Sequence, residues 1–207
     1  MADKSENVQL KSAVRCEGLT KVFGSVVAND NINLDVRYGE ILALLGENGS
    51  GKTTLMNMLS GIYHPDHGSI YVSDELVSIK SPEDSIKLGI GMIHQHFKLV
   101  DVFSAMDNIV TGTKGKLKKK SQLKNELNEI CKELGLAVNP EEKVYNMSVS
   151  EKQTVEIMKV LYRGAKILIL DEPTAVLTPQ ETEKLFAILR KMRDNGSAII
   201  IITHKLN

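Results

Sequence analysis

A glycine-rich stretch in the first third of the chain has the residue types that bind phosphate. It runs from Gly46 to Thr53 and fits the pattern GxxxxGK[ST]. Glycines let backbone N–H groups surround a phosphate, and a helix N-terminus adds partial positive charge. We therefore expect Lys52 to contact the β- and γ-phosphates of a nucleotide and the Thr53 hydroxyl to bind Mg²⁺. The candidate nucleotide-binding residues here are Gly46, Glu47, Asn48, Gly49, Ser50, Gly51, Lys52, Thr53 and Thr54.

Two adjacent acids, Asp171 and Glu172, follow the apolar run 167–170, which is typical of a buried strand. At the end of such a strand, Asp171 could reach the coordination shell of Mg²⁺. Glu172 could then orient or polarise an attacking water. Alone, the pair is equally typical of an ordinary strand-to-loop junction, but the phosphate loop upstream favours the catalytic interpretation.

The segment Met147–Glu151 precedes a helical pattern and has two interpretations. Ser148 and Glu151 form a capping box, which is a purely structural role. The functional alternative is a helix N-terminus that faces a γ-phosphate, with Ser148 and Ser150 as contacts.

Three single residues are weaker candidates. Gln95 follows an apolar run and could supply a side-chain ligand to Mg²⁺ or to water. His204 ends a strand pattern, and Phe23 could stack on a base in a chain that has no tryptophan. Each of these residue types, found alone, is more often structural.

The elements that would position these residues alternate between short apolar runs and helical patterns. This predicts an α/β fold with a mostly parallel sheet and two early, antiparallel strands. The predicted strands are Val14–Leu19, Asn31–Val36, Ile41–Leu45, Ser69–Val72, Lys166–Leu170 and Ala198–Thr203, and the predicted helices include Lys52–Gly61 and helices that begin at the caps Ser81 and Thr178.

The middle of the chain, approximately residues 102–160, shows helical patterns without a strong strand, which predicts a helical insert in the sheet core. The basic run Lys114–Lys120 is interpreted as a solvated loop or helix entry, with phosphate or lipid binding as the alternative. We expect residues 1–13 to form a flexible segment and residues 14–207 to form one domain.

Composition indicates which partners are not expected. The chain has 207 residues, with 26 basic and 26 acidic side chains, so no global charge favours nucleic acid or an anionic membrane surface. No apolar run approaches the roughly 20 residues of a membrane helix, so no direct membrane span is expected. Cys16 and Cys131 are far apart, which is typical of two reduced thiols.

The order of these motifs resembles that of the ABC ATPase family, and the resemblance covers nearly the whole chain from about Val14. It implies ATP and Mg²⁺ as ligands, and a P-loop NTPase core with an N-terminal antiparallel β portion and an inserted helical subdomain. It also implies catalytic roles for Glu172 and His204, and metal ligation by Thr53, Gln95 and Asp171. The matched positions are Phe23 for the adenine-stacking aromatic, Gly46–Thr53 for Walker A, Gln95 for the Q-loop, Met147–Glu151 for the signature, Asp171 and Glu172 for Walker B, Thr174–Thr178 for the D-loop and His204 for the switch histidine.

Two stretches, Gly89–Val100 and Val160–Glu181, more narrowly resemble ATPases of sugar and nucleoside importers. This implies a subunit that couples ATP hydrolysis to solute uptake, with permease subunits, at the cytoplasmic face of the cell membrane. A second cassette, in the same chain or another, would pair with it head to tail. Family members continue beyond the position of Asn207, so we expect the C-terminal part of the domain to be missing and the chain to be most of a first cassette.

The signature segment departs from the family pattern at two positions. Ser150 stands where glycine is usual, and Thr154 stands where arginine or a similar long polar residue is common. The added Cβ at Ser150 indicates weaker activity at the site that this signature completes, but it does not affect ATP binding at Lys52. Two alternatives to a transport ATPase remain, namely a non-transport ABC protein that acts on ribosomes or DNA, and a nucleotide-binding switch that hydrolyses poorly.

Overall fold

The computed structural model describes residues 11–113 and 118–204. Most of the predicted flexible segment, residues 1–10, and residues 114–117 of the basic run lie outside the described residues. The strands are β1 Ser12–Phe23, β2 Val26–Arg37, β3 Ile41–Leu45, β4 His67–Val72, β5 Glu75–Val77, β6 Ile90–Ile93, β7 Ile167–Asp171 and β8 Ala198–Thr203; the helices are α1 Lys52–Leu59, α2 Pro82–Lys87, α3 Ala105–Val110, α4 Lys120–Leu134, α5 Val149–Tyr162 and α6 Pro179–Asp194, with a 3₁₀ turn at Val144–Asn146.

The strands form two sheets. One is parallel, in the order β3-β8-β7-β6, and the other is antiparallel, in the order β2-β1-β4-β5. The two central strands of the parallel sheet, β7 and β8, are almost entirely apolar, as expected for strands with both faces covered. The predicted α/β class, with a mostly parallel sheet and an antiparallel N-terminal portion, is confirmed.

The observed strands extend the predicted ones in several places. β1 and β2 are each 12 residues long and contain the two shorter predicted strands. The sequence did not predict β5 or β6, because a three-residue and a four-residue strand show too little alternation to be recognised.

Capping residues set the starts of several helices. Ser148 and Thr178 form reciprocal capping boxes with Glu151 and Glu181, and the Ser81 hydroxyl accepts the Asp84 N–H. The prediction that the first helix is closed by Gly61 agrees with the structure, in which α1 ends at Leu59, Ser60 is its C-cap and Gly61 follows. Gly61 lies beyond it in a left-handed turn that touches the Ser81 backbone.

Helices α3, α4 and α5 and the 3₁₀ turn lie between β6 and β7, where the helical insert was predicted. Among residues 102–113 and 118–160, the only strand-type pairing is an isolated bridge between Ser104 and Lys143. Lys118, at the edge of the basic run, pairs with Glu126 of α4. The division into domains at residues 13 and 14 stays a prediction, although β1 begins at Ser12.

The parallel sheet separates two hydrophobic cores. Ile167 and Ile169 of β7 face the core shared with α1 and the antiparallel sheet. Leu168 and Leu170 face the core shared with α3, α5 and α6. This alternation follows from the two-residue period of a strand. None of the helices in the described ranges is long and apolar enough to cross a membrane.

Candidate functional site

The carboxyl ends of the four parallel strands meet at one edge of the sheet. In the strand register, Leu45 of β3 pairs with Thr203 of β8, Asp171 of β7 pairs with Ile202, and Ile93 of β6 pairs with Leu170. The candidate phosphate loop, Glu172, Gln95 and His204 each begin within two residues of one of these strand ends. The fold therefore brings four motifs from distant parts of the sequence to one edge.

The loop after β3 depends on a glycine at its last turn before α1. Gly51 has a φ of 86°, which is the left-handed region that favours glycine. A Cβ at this position would lie 2.3 Å from the Ala28 carbonyl oxygen of β2. The Asn29 side chain holds the same peptide, because its Nδ2 donates to the Gly51 carbonyl at 3.2 Å.

Lys52 lies over the loop rather than pointing away from it. Its Nζ donates to the carbonyls of Gly46 at 2.7 Å and Glu47 at 2.8 Å, and to the Ser50 hydroxyl at 3.1 Å. These bonds use the three donors of an ammonium group. The remaining candidates of the loop are exposed or half-buried: Glu47, Asn48, Gly49, Ser50 and Thr53 are exposed, and Gly46 and Thr54 are half-buried.

Asp171 is a half-buried carboxylate at the end of β7. Burial raises its pKa above the usual value, and the neighbouring Glu172 raises the pKa further, whereas His94 and Lys52 lower it. The nearby positive groups therefore do not fully offset the cost of burying the negative charge of Asp171.

Glu172 contacts His204 directly. The Nδ1 of His204 lies 2.7 Å from Oε1 of Glu172, and the Thr203 hydroxyl donates to Oε2 at 3.3 Å. The Glu172 backbone has a φ of 48°, which is unusual for a residue with a side chain. The Glu172 N–H donates to the Ile202 carbonyl, so the strained residue is fixed against β8.

Gln95 is exposed two residues after β6. The residue before it, His94, is half-buried, and desolvation lowers its pKa, as does the nearby charge of Lys98. Leu45, Gly46, Glu47, Asn48 and His204 line an open cavity of about 530 Å³ beside the loop.

Phe23 lies at the end of β1, opposite Val26 in the β1–β2 hairpin. Its ring meets the edge of Tyr63 at a centroid distance of 5.1 Å, and Nζ of Lys21 lies 5.4 Å from the Phe23 centroid. Phe23 is 41% exposed, so part of the residue is accessible to a ligand.

Ser148 and Ser150 lie in a different part of the surface. They line a cleft of about 610 Å³ between the end of α4, α5 and α6, and no residue of the phosphate loop lines that cleft. The Ser148 hydroxyl and backbone N–H both donate to the Glu151 carboxylate at 2.8 Å. The Thr154 hydroxyl donates to the Ser150 carbonyl one turn back. Within a single chain, the signature segment therefore lies apart from the phosphate loop.

A sequence profile of the ABC transporter family matches residues 29–175, well over half of the chain. The chain belongs to the ABC transporter family. Among curated ABC proteins, it is 48% identical over 200 residues to the nucleoside import ATP-binding protein NupA of Lactococcus lactis subsp. cremoris, covering 95% of this chain and 40% of NupA. It is 51% identical over 186 residues to the guanosine import ATP-binding protein NupO of Bacillus subtilis, covering 88% of this chain and 36% of NupO.

Solved ABC cassettes have the same fold. One, an ATP-binding cassette of an ABC transporter in its ADP conformation, superposes with a TM-score of 0.85 at 25% identity, over 95% of this chain and 82% of the other. A cassette dimer in a post-hydrolysis state, bound to ADP and Pi, superposes with a TM-score of 0.77 at 25% identity, over 93% of this chain and 88% of the other. The chain spans about two fifths of the length of the curated relatives NupA and NupO.

Sequence patterns alone missed several polar residues of this ABC site. Asn29 is 6% exposed beside Gly51, and its Oδ1 has no hydrogen-bond partner in the described part of the chain. Thr203 and His94 are next to predicted site residues, so they could have been found as neighbours of a strand end. Asn29 gave no such signal, because its contact joins β2 to the phosphate loop across 22 residues.

Proposed function

We propose that this chain is an ATP-binding and ATP-hydrolysing cassette of an ABC importer. The observation that carries the proposal is the convergence of the phosphate loop, Gln95, Asp171, Glu172 and His204 at one edge of the parallel sheet. Each of these groups would have a separate task in phosphoryl chemistry, and their shared edge of the sheet supports contact with a single nucleotide.

The loop residues fit a nucleoside triphosphate. Gly51 allows the loop to pack against the Ala28 carbonyl of β2, and the N-terminus of α1, which favours an anion, follows it directly. Lys52 already lies at the mouth of the loop, where its charge would neutralise the β- and γ-phosphates. The accessible Phe23 ring would stack on the base.

The candidate metal ligands fit Mg²⁺ in their donor chemistry. Residues 11–113 and 118–204 contain no cluster of three His, Cys, Asp or Glu side chains that could hold a metal by itself. The Thr53 hydroxyl, the Gln95 amide and the Asp171 carboxylate offer oxygen ligands, with phosphate oxygens completing the shell. A cation would also balance the charge of Asp171, whose pKa is raised by burial.

Mg-ATP, when bound, supplies the phosphoanhydride bond that is broken and the cation that balances its charge. Glu172 would accept a proton from the attacking water. Because an ionised carboxylate only accepts hydrogen bonds, Nδ1 of His204 would carry the hydrogen in their 2.7 Å contact when Glu172 acts as the base. His204 and Thr203 would thereby hold both oxygens of Glu172 in place for that proton transfer.

A second cassette would complete the nucleotide site. Support comes from the position of Ser148 and Ser150, which line a cleft apart from the phosphate loop of their own chain. In a head-to-tail pair, the N-terminus of α5 of one cassette would face the γ-phosphate held by the other.

A permease at the cytoplasmic face of the membrane is the proposed partner. Five large apolar residues are exposed in the segments around the start of α3 and the start of α5. Backbone hydrogen bonds from Val144 to Phe103 and from Tyr145 to Asp101 hold these segments side by side. Neighbouring exposed apolar side chains often mark a protein interface. This surface consists of Val100, Val102, Phe103, Tyr145 and Val149.

The transported solute is proposed as a nucleoside or a sugar, because the curated relatives are named as importers of nucleosides, guanosine and ribose. A weakly hydrolysing switch is the second candidate. It is favoured by Ser150 in the signature segment and by the Glu151 carboxylate, which already uses the Ser148 hydroxyl and N–H.

The test is Mg-ATP hydrolysis and solute uptake by the full-length protein with its permease. Wild type should hydrolyse ATP and support uptake of a labelled nucleoside or sugar, and Glu172→Gln should abolish both while ATP still binds. Glu183→Gln, at an exposed acid on α6, is the matched control and should behave as wild type. ATP binding without hydrolysis in the wild type would favour the switch, and wild-type turnover in Glu172→Gln would refute the assigned base.

A further inference from the structure

The loop that carries Gln95 is anchored at both ends. Its start is the end of β6, which pairs with β7 in the parallel sheet. Its far end, residues 98–100, runs along helices of the insert. Between these ends, Gln95 and His96 are exposed. The position of Gln95 relative to the phosphates therefore depends on what holds residues 98–100.

Two side chains of α5 hold the Lys98 backbone. The Lys98 N–H donates to Oε1 of Glu156 at 2.6 Å, and Nζ of Lys159 donates to the Lys98 carbonyl at 2.7 Å. Nζ of Lys159 also lies 3.8 Å from Oε1 of Glu156. The backbone N–H and carbonyl of Lys98 are thus both bound by α5, through two side chains that are three residues apart in the helix.

The Glu156 end of this contact is buried. Glu156 is 5% exposed, in a helix segment that is otherwise almost entirely apolar. Taking a carboxylate out of water is unfavourable unless its hydrogen bonds are well formed. A shift of the loop away from α5 would remove a strong hydrogen bond from a buried carboxylate. The pair therefore restricts the loop more than an exposed ion pair would.

A second helix, α3, holds the backbone of Val100. The Asn108 side chain of α3, 3% exposed, accepts the Val100 N–H at 2.7 Å and donates to the Val100 carbonyl at 3.0 Å. On α5, Nε2 of the buried Gln153 donates to the Pro173 carbonyl at 2.9 Å, just after Glu172. Helix α5 is thus bonded both to the loop that carries Gln95 and to the loop that follows Glu172.

We propose that Glu156 and Lys159 are positioning residues that link the placement of Gln95 to the position of α5, and hence to the signature segment at its N-terminus. The link to catalysis rests on the proposed ATPase function. A movement of α5 would be transmitted through the Lys98 backbone to Gln95. ATP binding at the phosphate loop does not involve these contacts, so the two residues should affect turnover more than nucleotide affinity.

The first experiment measures backbone hydrogen exchange in the full-length protein without nucleotide. In Glu156→Ala, the peptide that covers residues 96–101 should exchange at least tenfold faster, whereas peptides from α1 and β7 should be unchanged. Glu156→Gln keeps an acceptor for the Lys98 N–H and should give an intermediate rate. Glu129→Ala, at an exposed acid of α4, is the control. Unchanged exchange of residues 96–101 in both Glu156 variants would overturn the proposal.

The second experiment separates positioning from general stability. Glu156→Gln and Lys159→Met should lower the kcat of ATP hydrolysis at least fivefold, with less than a twofold change in ATP affinity. Lys159→Arg, which can still reach the Lys98 carbonyl, should recover most of the rate. Equal losses of affinity and kcat, or no rescue by arginine, would overturn the positioning role. An inactive wild type would refute the proposed function instead, and the exchange experiment would still test the anchor.

Discussion

At the residue scale, Lys52 serves the phosphate loop in two ways. It would bind phosphate, and it already bridges the Gly46 and Glu47 carbonyls. We expect Lys52→Ala to lower ATP affinity at least tenfold, because a charge-assisted contact of about 1.5–3 kcal/mol is lost. Calorimetric titration measures this, with exposed Lys166→Ala as the control. An unchanged affinity in a folded variant would refute the phosphate-loop assignment.

Asp171 combines a proposed role in metal binding with a cost in stability. Its pKa is raised above 3.8 by burial and by Glu172, so the folded protein binds this proton more tightly than the unfolded chain does. Stability is therefore lost as the pH rises through the raised pKa. Asp171→Asn should increase the stability of the metal-free protein at pH 7 by up to about 1 kcal/mol.

Melting curves at two pH values test this prediction for Asp171. The advantage of Asp171→Asn should shrink as the pH falls toward 3.8, because the wild-type carboxyl is then protonated and nearly isosteric with the amide. Mg²⁺-dependent stabilisation by ATP should be lost in the variant. A variant that is less stable than wild type at pH 7 would mean that the charge is compensated by groups around it.

Ser150 tests whether the signature segment has lost activity or has adapted. The Ser148 hydroxyl and N–H are used by Glu151, so a phosphate at this helix end must approach the backbone near Ser150. A Cβ there can hold the two surfaces apart, and small displacements in a catalytic site can lower the rate about a hundredfold. We expect Ser150→Gly to raise steady-state ATP turnover in the full-length protein, with little change in affinity. A lower turnover would show that the hydroxyl is a working ligand.

At the scale of elements, α5 lies directly on β6 at Gly91. A Cβ on Gly91 would lie 2.8 Å from Cβ of Val160 and 3.0 Å from Cβ of Ala165, so either the helix or the strand must shift. We expect Gly91→Ala to destabilise the protein by about 1–3 kcal/mol, as overpacking does. Thermal melting measures this, and Ala43→Val, at an exposed position of β3, is the control. An unchanged melting temperature would mean that α5 can move freely here.

The sequence predicted the elements that carry chemistry better than the contacts between them. The phosphate loop is recognisable because its strand, glycines and helix are consecutive, and capping boxes at Ser148 and Thr178 involve residues three apart. The contact of Glu156 with the Lys98 backbone joins residues 58 apart. Its one local signal is an acid within an apolar helix segment. Long-range polar contacts of this kind depend on the final packing, which local patterns do not specify.

At the scale of the whole molecule, the separate locations of the phosphate loop and the signature segment predict closure of two cassettes. In the full-length protein, Glu172→Gln should bind ATP without hydrolysing it and so accumulate the closed form. Sedimentation velocity should then show a faster species with ATP than with ADP, whether the second cassette lies in the same chain or in another. Adding Lys52→Ala should reduce this difference between ATP and ADP. A sedimentation rate that is the same with either nucleotide would contradict the head-to-tail arrangement.

Because β7 and β8 lie between the two hydrophobic cores, they determine the order in which the protein folds during synthesis. Both hydrophobic cores need these two strands, which come from residues 167–203. β3 must pair with β8 across more than 150 residues of intervening chain, and such long-range parallel pairing is slow. The β1–β2 hairpin and the isolated helices can form early, but neither core can close until the ribosome has delivered β8. Until then, the apolar faces of α1, α5 and β6 are open to chaperones and to aggregation.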